Sequence, residues 1–380
     1  MLGVAALIAV SVCVLCGCAT QSAARSQHRR SALSVTEVAQ PVPAAGTFVS
    51  LVPAWACARH TELDEFSMAS GRKLRRLAGV SIPSSERLDT PAATGDGRLF
   101  FTLTREVLCA ARGFYAECPK FEPDSCRNAV MTLAPGRSSL RAAFTIPGSR
   151  SIGQAVPDPA GGRVALTTAP CFATHGTAGL FVRTLATGAM RAIATSHNVC
   201  DSFIPVAWNP AGSQLAFVHG RAGGPPETMV GGIACPQGRQ YIAIAGADAP
   251  AAPNHLKQIA PQRGCVFGAV AFDATGLLAV EGCNQGDPSK NDGNAHLGQA
   301  YLVQYTSAGH LTRRFALRLG LEHAVLANVP HSPDLLVTLD QPANEPYPER
   351  DWVWEFDGSH LRLIAHYKAD DAAQVLAVPW

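Results

Sequence analysis

Cysteine and histidine, twelve of each among 380 residues, are the side chains here best suited to nucleophilic attack, metal binding or covalent cross-linking. Cys13, Cys16 and Cys18 crowd into the first eighteen positions, leaving nine: Cys57, Cys109, Cys118, Cys126, Cys171, Cys200, Cys235, Cys265 and Cys283. None of the nine forms a C-x-x-C pair. Cys57 with His60 lacks the second close-spaced pair that a structural zinc site shows, and the histidines show no paired spacing. Nucleophile elbows, zinc-protease helices and phosphate-cradling glycine loops are also missing from the chain. Asp340, Glu345, Glu349 and Asp351 read as residues of a solvated loop, with a sugar- or cation-binding pocket as the alternative. Asn284–His296 offers many oxygen ligands without the alternating spacing of a calcium loop. These patterns call for no cofactor and no metal. Thirty-one basic against 29 acidic residues give a net charge of +2, too small a field to grip nucleic acid.

What positions such residues begins with the leader. The run LGVAALIAVSVCVL is apolar for about 14 residues, short of the roughly 20 that cross a bilayer. It ends in LCGC, which resembles the bacterial lipobox, and that resemblance implies a signal peptide over residues 1–17 with Cys18 as the lipidated new N-terminus. No Lys or Arg precedes the apolar run; an uncleaved anchor helix or a buried strand is the alternative. Residues 18–46, rich in Ala, Ser and Gln, read as a flexible tether. An exported chain carries its nine remaining cysteines into an oxidising compartment, where disulfides are favoured over metal sites; an odd number leaves at least one free.

The rest of the chain repeats itself. PVAWNPAGSQLAFVHG (Pro205 to Gly220) shares its plan with segments at Thr90–Thr104, Gln154–Thr168, Gly268–Gly282 and Leu326–Asp340: a small-apolar strand, a Pro/Asp/Gly turn, then alternating apolar residues. Each predicts a tight hairpin with one face in a core. A second module follows, two short strands around Gly71, Gly136, Gly188, Gly309 or Gly358, with a degenerate copy from Tyr241. Helix propensity favours a helix over LDEFSMASGRKLRRL from Leu63, but its alignment with the other copies predicts strands. Hairpin plus hairpin makes a four-stranded antiparallel sheet, and six such sheets make a β-propeller over residues 47–380. PVAWNPAGSQLAFV resembles the WD40-like propeller repeat of the TolB family, which implies architecture and little about function, because the matching positions are turn and core residues. The first unit supplies three evident strands, and Gln374–Trp380 resembles an inner strand. The C-terminal strand is therefore expected to pair with the first blade and close the ring, an open or seven-bladed arrangement being the alternative.

With strands lettered a to d outward from the axis, all nine cysteines fall in b-to-c or d-to-a loops, on one face. Disulfides there would order long loops. The expected pairs are Cys171 with Cys200 and Cys235 with Cys265, each joining a b-to-c loop to the d-to-a loop leaving the same blade, and Cys118 with Cys126. Arg75, Arg76, Arg191, Arg313, Arg314 and Arg362 recur on outer strands as a solvated face or as edge protection. The reading that results is a monomeric binding module, tethered to a membrane through the Cys18 lipid, whose cysteine-bearing loop face docks a protein or glycan of the bacterial cell envelope. The alternative is an envelope hydrolase or lyase with a carboxylate/His site at the channel mouth.

Overall fold

Asn209, in the repeated turn that ends NPAG, shows how each hairpin is made. Its side-chain oxygen accepts the amides of Ser213 (2.8 Å) and Gln214 (2.9 Å), while Gly212 takes φ +68°, so the chain reverses within four residues. The computed structural model describes residues 34–38, 46–52, 60–81, 86–105, 129–146, 150–170, 175–248, 256–283, 299–317, 323–328, 334–341 and 350–368, a few positions within these ranges excepted.

Six antiparallel blades of four strands surround an axis, with no helix among the described residues. The first holds β1 (Ser34–Val38), β2 (Thr47–Val52), β3 (His60–Ser67) and β4 (Lys73–Ser81). The second runs β5 (Glu86–Ala93), β6 (Leu99–Arg105), β7 (Ala129–Leu133) and β8 (Arg141–Thr145), and the third β9 (Arg150–Pro157), β10 (Arg163–Pro170), β11 (Ala178–Thr184) and β12 (Met190–Ser196). In the fourth, β13 (Val206–Trp208) and β14 (Gln214–Arg221) are separated from β17 (Arg239–Gly246) and β18 (Lys257–Ile259) by a small hairpin, β15 (Glu227–Met229) with β16 (Gly232–Ala234). The fifth is β19 (Cys265–Phe272), β20 (Leu277–Cys283), β21 (Gln299–Tyr305) and β22 (Leu311–Leu317); the sixth is β23 (His323–Asn328), β24 (Leu335–Gln341), β25 (Arg350–Phe356) and β26 (Leu361–Lys368).

Period-2 alternation predicts one buried face per hairpin, but the second strand of a blade is buried on both. In β20 every residue from Leu277 to Gly282 is buried, because each blade is covered by a neighbour on either side. The outermost strand splays away from those neighbours, so β22 is exposed along most of its length. Apolar side chains accordingly gather into six clusters, one per junction between successive blades.

The junction of the sixth blade with the first closes the ring. Phe48, Phe66 and Met68 of the first blade pack with Ala327, Leu336 and Val353 of the sixth. Gly71 lies against β26 so closely that a Cβ there would sit 2.3 Å from the Ala365 Cβ, and its φ of +66° is one that only glycine adopts without strain. Tyr367 donates to the Gly71 carbonyl at 2.6 Å. Around the ring, basic side chains on outer strands latch the next blade's outer turn: Arg191 donates to the Ala247 and Asp248 carbonyls, Lys257 to that of Ser307, Arg313 to that of Gly358 and Arg362 to that of Met68. These side chains stay largely exposed, as a solvated face requires, while also reaching the neighbouring blade. Their long stems reach across the outward-widening wedge between blades to carbonyls that no strand partner satisfies.

The amide of Met68 bonds the Gly46 carbonyl (2.9 Å) as Leu185 bonds Gly162 and Ala247 bonds Ser213, in each case tying the turn after a c strand to the turn before a b strand. So β2 stands in the b position. The fourth strand of this blade is β1, antiparallel to β4 at its outer edge with Ser34 opposite Ser81 and Val38 opposite Ala78. It falls inside the expected tether, whose averaged composition hid the alternating, β-branched SVTEV. The expected closing strand, Gln374–Trp380, lies outside the described residues.

Candidate functional site

Four of the nine cysteines lie among the described residues, on the loop face as expected, and they form two disulfides. Cys200 pairs with Cys235, and Cys265 with Cys283. Both expected pairings between these residues are corrected: Cys200 does not bridge Cys171, and Cys235 does not bridge Cys265. Strands a and b of one blade are antiparallel, so the start of a lies beside the end of b. A b-to-c loop therefore meets the connection entering its own blade, not the one leaving it. Cys265 and Cys283 are direct register partners at those two ends. Cys200 precedes β13, whose blade carries Cys235 in its b-to-c excursion, and Ser202 bridges Gly220 beside them. Cys18, Cys118, Cys126 and Cys171 lie outside the described residues.

The first disulfide pins an ordered excursion. Asn198 donates to the Gly224 carbonyl (3.0 Å) and accepts the Cys200 amide (3.1 Å), and Gly223 bonds the Pro236 carbonyl (3.1 Å). Beneath it His219, on β14, stacks on Phe203 with centroids 4.6 Å apart. The Tyr241 hydroxyl is hydrogen-bonded to His219 Nδ1, and Nε2 faces Asp201 Oδ2 at 3.6 Å. Asp201 Oδ1 accepts the Ala222 amide at 2.9 Å, tying the cluster to the excursion.

Burial holds the His219 imidazole below its ordinary range, with the Asp201 carboxylate pulling the other way. A histidine depressed in the folded chain lets the unfolded chain take up its proton first. Its presence then costs nothing above the unfolded value near 6.5 and destabilises progressively as pH falls below it. Urea melts of the chain should therefore lose more stability between pH 7.5 and 5.5 than those of His219→Gln. Parallel losses in the two proteins would show that the folded chain does not hold the His219 imidazole below its unfolded value.

The turn-side end of the channel is apolar. Ala93, Val156, Trp208, Phe272 and Leu326, from the inner strands of five blades, line an apolar recess open to solvent. Among its described lining there is no carboxylate and no imidazole. Trp208 donates its indole N–H to the Val156 carbonyl (2.9 Å) and lies 5.1 Å beneath the Arg163 guanidinium, itself held by Asp158 and by the Gly212 carbonyl. The described lining of this end is apolar.

Of the acidic residues read as loop positions, Glu345 and Glu349 lie outside the described residues. Asp340 and Asp351 are not in loops: they are register partners on β24 and β25, and His323 stands opposite Asp340 on β23. Sequence reasoning also missed the Asp201–His219–Tyr241 cluster; His219 and Tyr241 are 22 positions apart and meet only through the pairing of β14 with β17.

No known family profile matches the chain, and no curated protein matches it. Solved structures do. The propeller domain of the trilobed protease from Pyrococcus furiosus aligns at 11% identity over 73% of this chain and 70% of that one, TM-score 0.40. An oligogalacturonate lyase in complex with manganese aligns at 10% identity over 86% and 81%, TM-score 0.46. Regucalcin of Agrobacterium tumefaciens, a calcium-binding protein, aligns at 12% over 89% and 96%, TM-score 0.46. The likeness extends to the fold alone.

Proposed function

We propose that the chain is an extracytoplasmic β-propeller of TolB-like kind, held to the membrane of a bacterial envelope by lipid on Cys18, and that its cysteine-bearing face docks an envelope protein or glycan as a monomer. One observation carries the reading. Both disulfides among the described residues lie on the same face, one pinning the β15–β16 excursion and one tying the ends of β19 and β20, while the described lining of the opposite end of the channel is apolar. Loops stiffened in advance lose less conformational entropy on docking, which is what a binding face gains from such bridges. The two disulfides are also consistent with export.

A photo-crosslinking residue at exposed Pro225 on the loop face should capture an abundant envelope component in intact cells, and one at exposed Thr187 on the turn face should not. Equal capture from both sites, or none from Pro225, overturns the docking reading. Cys18→Ser should move the protein from the membrane to the soluble fraction; unchanged fractionation overturns the anchor alone.

A second reading, an envelope hydrolase or lyase, is favoured by the level occupied by His323, Asp340 and Asp351 at the loop-face end of the sixth blade. Two carboxylates and an imidazole are the groups that acid–base cleavage of a glycan uses. Release of soluble fragments from isolated envelope glycan, abolished by Asp340→Asn with Asp351→Asn, would establish it; no release would remove it.

A further inference from the structure

Glu281 is fully buried on the loop face, beside the Cys265–Cys283 bridge. Its Oε1 accepts the Tyr305 hydroxyl at 2.7 Å and the Gln262 amide at 3.3 Å, but among the described residues Oε2 has no donor. A carboxylate oxygen withdrawn from water without a partner is costly, and such a group calls for a cation or a donor that arrives later. Glu281 stands two positions before Cys283 on β20, on the same side of the strand. One carboxylate oxygen and the two sulfurs all lie within 4.8 Å of one another.

We propose that Cys265, Cys283 and Glu281 form a redox-gated metal site: closed by the disulfide in the oxidised chain, and a three-ligand seat for a zinc-class divalent cation when the bridge is reduced. The proposal stands apart from the docking reading and holds whether or not the face binds a partner.

In the bridge the sulfurs are neutral and 2.01 Å apart, and cannot ligate. A dithiol reductant supplies two electrons and two protons; the S–S bond breaks, two thiols form, and the reductant leaves as its own disulfide. A cation then displaces the two thiol protons and takes two thiolates and the carboxylate, with water completing a tetrahedron. Zinc–ligand lengths require sulfurs about 3.8 Å apart and sulfur–oxygen distances of about 3.5 Å, so the sulfurs separate once the bridge opens, while a carboxylate oxygen already lies within 4.8 Å of both. Two thiolates with one carboxylate suit zinc and cobalt far better than calcium or magnesium. Arg314, stacked over Tyr301, approaches Cys283 Sγ at 3.3 Å and favours a thiolate there. Tyr305 and the Gln262 amide hold the carboxylate in place as outer partners do around metal ligands. The tie between the start of β19 and the end of β20 thus persists in both states, as a covalent bond or as a metal bridge.

The test uses Co²⁺ as a spectroscopic stand-in. The full chain is reduced with a dithiol, desalted without oxygen and titrated. Thiolate-to-cobalt charge-transfer absorption should grow to one equivalent more than in the Cys265→Ser, Cys283→Ser double variant, whose serines replace partly exposed strand ends and leave the fold intact. The unreduced chain should lack that equivalent. Glu281→Gln, which can still accept from Tyr305, should bind at least about tenfold more weakly. Equal stoichiometry in the reduced chain and the double variant overturns the site. Unchanged affinity in a folded Glu281→Gln protein removes Glu281 from it, and with it the proposal. Should Glu281→Gln fail to fold, the comparison of reduced chain, unreduced chain and double variant still decides.

Discussion

Phe48→Ala is expected to destabilise the protein by about 3–5 kcal/mol, the range for emptying an aromatic site in a packed core. Phe48 is 1% exposed and its ring lies 5.3 Å from that of Phe66 in a stacked arrangement. The partners facing it, Ala327, Leu336 and Val353, come from the far end of the chain. Nothing local can collapse into the space, because the cavity walls belong to two rigid blades whose spacing is set by the rest of the ring. The loss should appear as a lower urea midpoint with a lower thermal transition and an unchanged strand signature in circular dichroism. A loss below about 1 kcal/mol would mean that the first and sixth blades are not packed as described, since a surface phenylalanine costs that little.

Replacing Cys200 and Cys235 together by serine is expected to have a comparable effect. The bridge closes a loop of 35 residues, for which the chain-entropy relation gives about 4 kcal/mol of stabilisation at room temperature. The consequence for the binding face is more specific than the loss of stability. Freed of the covalent tie, the excursion that carries β15 and β16 retains the Asn198–Gly224 and Gly223–Pro236 hydrogen bonds, each a modest net contribution in a partly solvated setting. Limited trypsin digestion should therefore cut after exposed Arg221 in the variant well before it cuts the native protein. Crosslinking from Pro225 should fall in parallel, because the docking face has lost its order. Resistance to trypsin equal to that of the native protein would show that hydrogen bonds alone hold the excursion, and that the disulfide is dispensable for the face.

The hairpins were legible in the sequence because their causes are local. Asn209 and Gly212 make their turn with atoms a few positions away, and the recurrence of that pattern every 50 to 65 residues implies blades whatever surrounds them. The strand nature of LDEFSMASGRKLRRL was legible for the same reason, through alignment of Gly71 with the other outer turns. The cysteine face was legible too, since strand order alone decides at which end a connection emerges. Pairings were not. Cys200 meets Cys235, and Cys265 meets Cys283, because an inner strand begins where its neighbour ends, a relation of adjacent strands in space that spacing along the chain does not encode. The Asp201–His219–Tyr241 cluster depends on the register of β14 with β17, and a shift of one residue would turn His219 to the other face. Closure belongs to the tertiary level as well. Phe48 and Val353, 305 positions apart in the chain, become neighbours only because six wedge-shaped blades use up a full turn. The sequence by itself thus determined the repeating unit and the face on which its four described cysteines emerge, through short-range turn chemistry. Which cysteines, carboxylates and rings meet there was decided by packing between blades, where contacts join residues that no local pattern links.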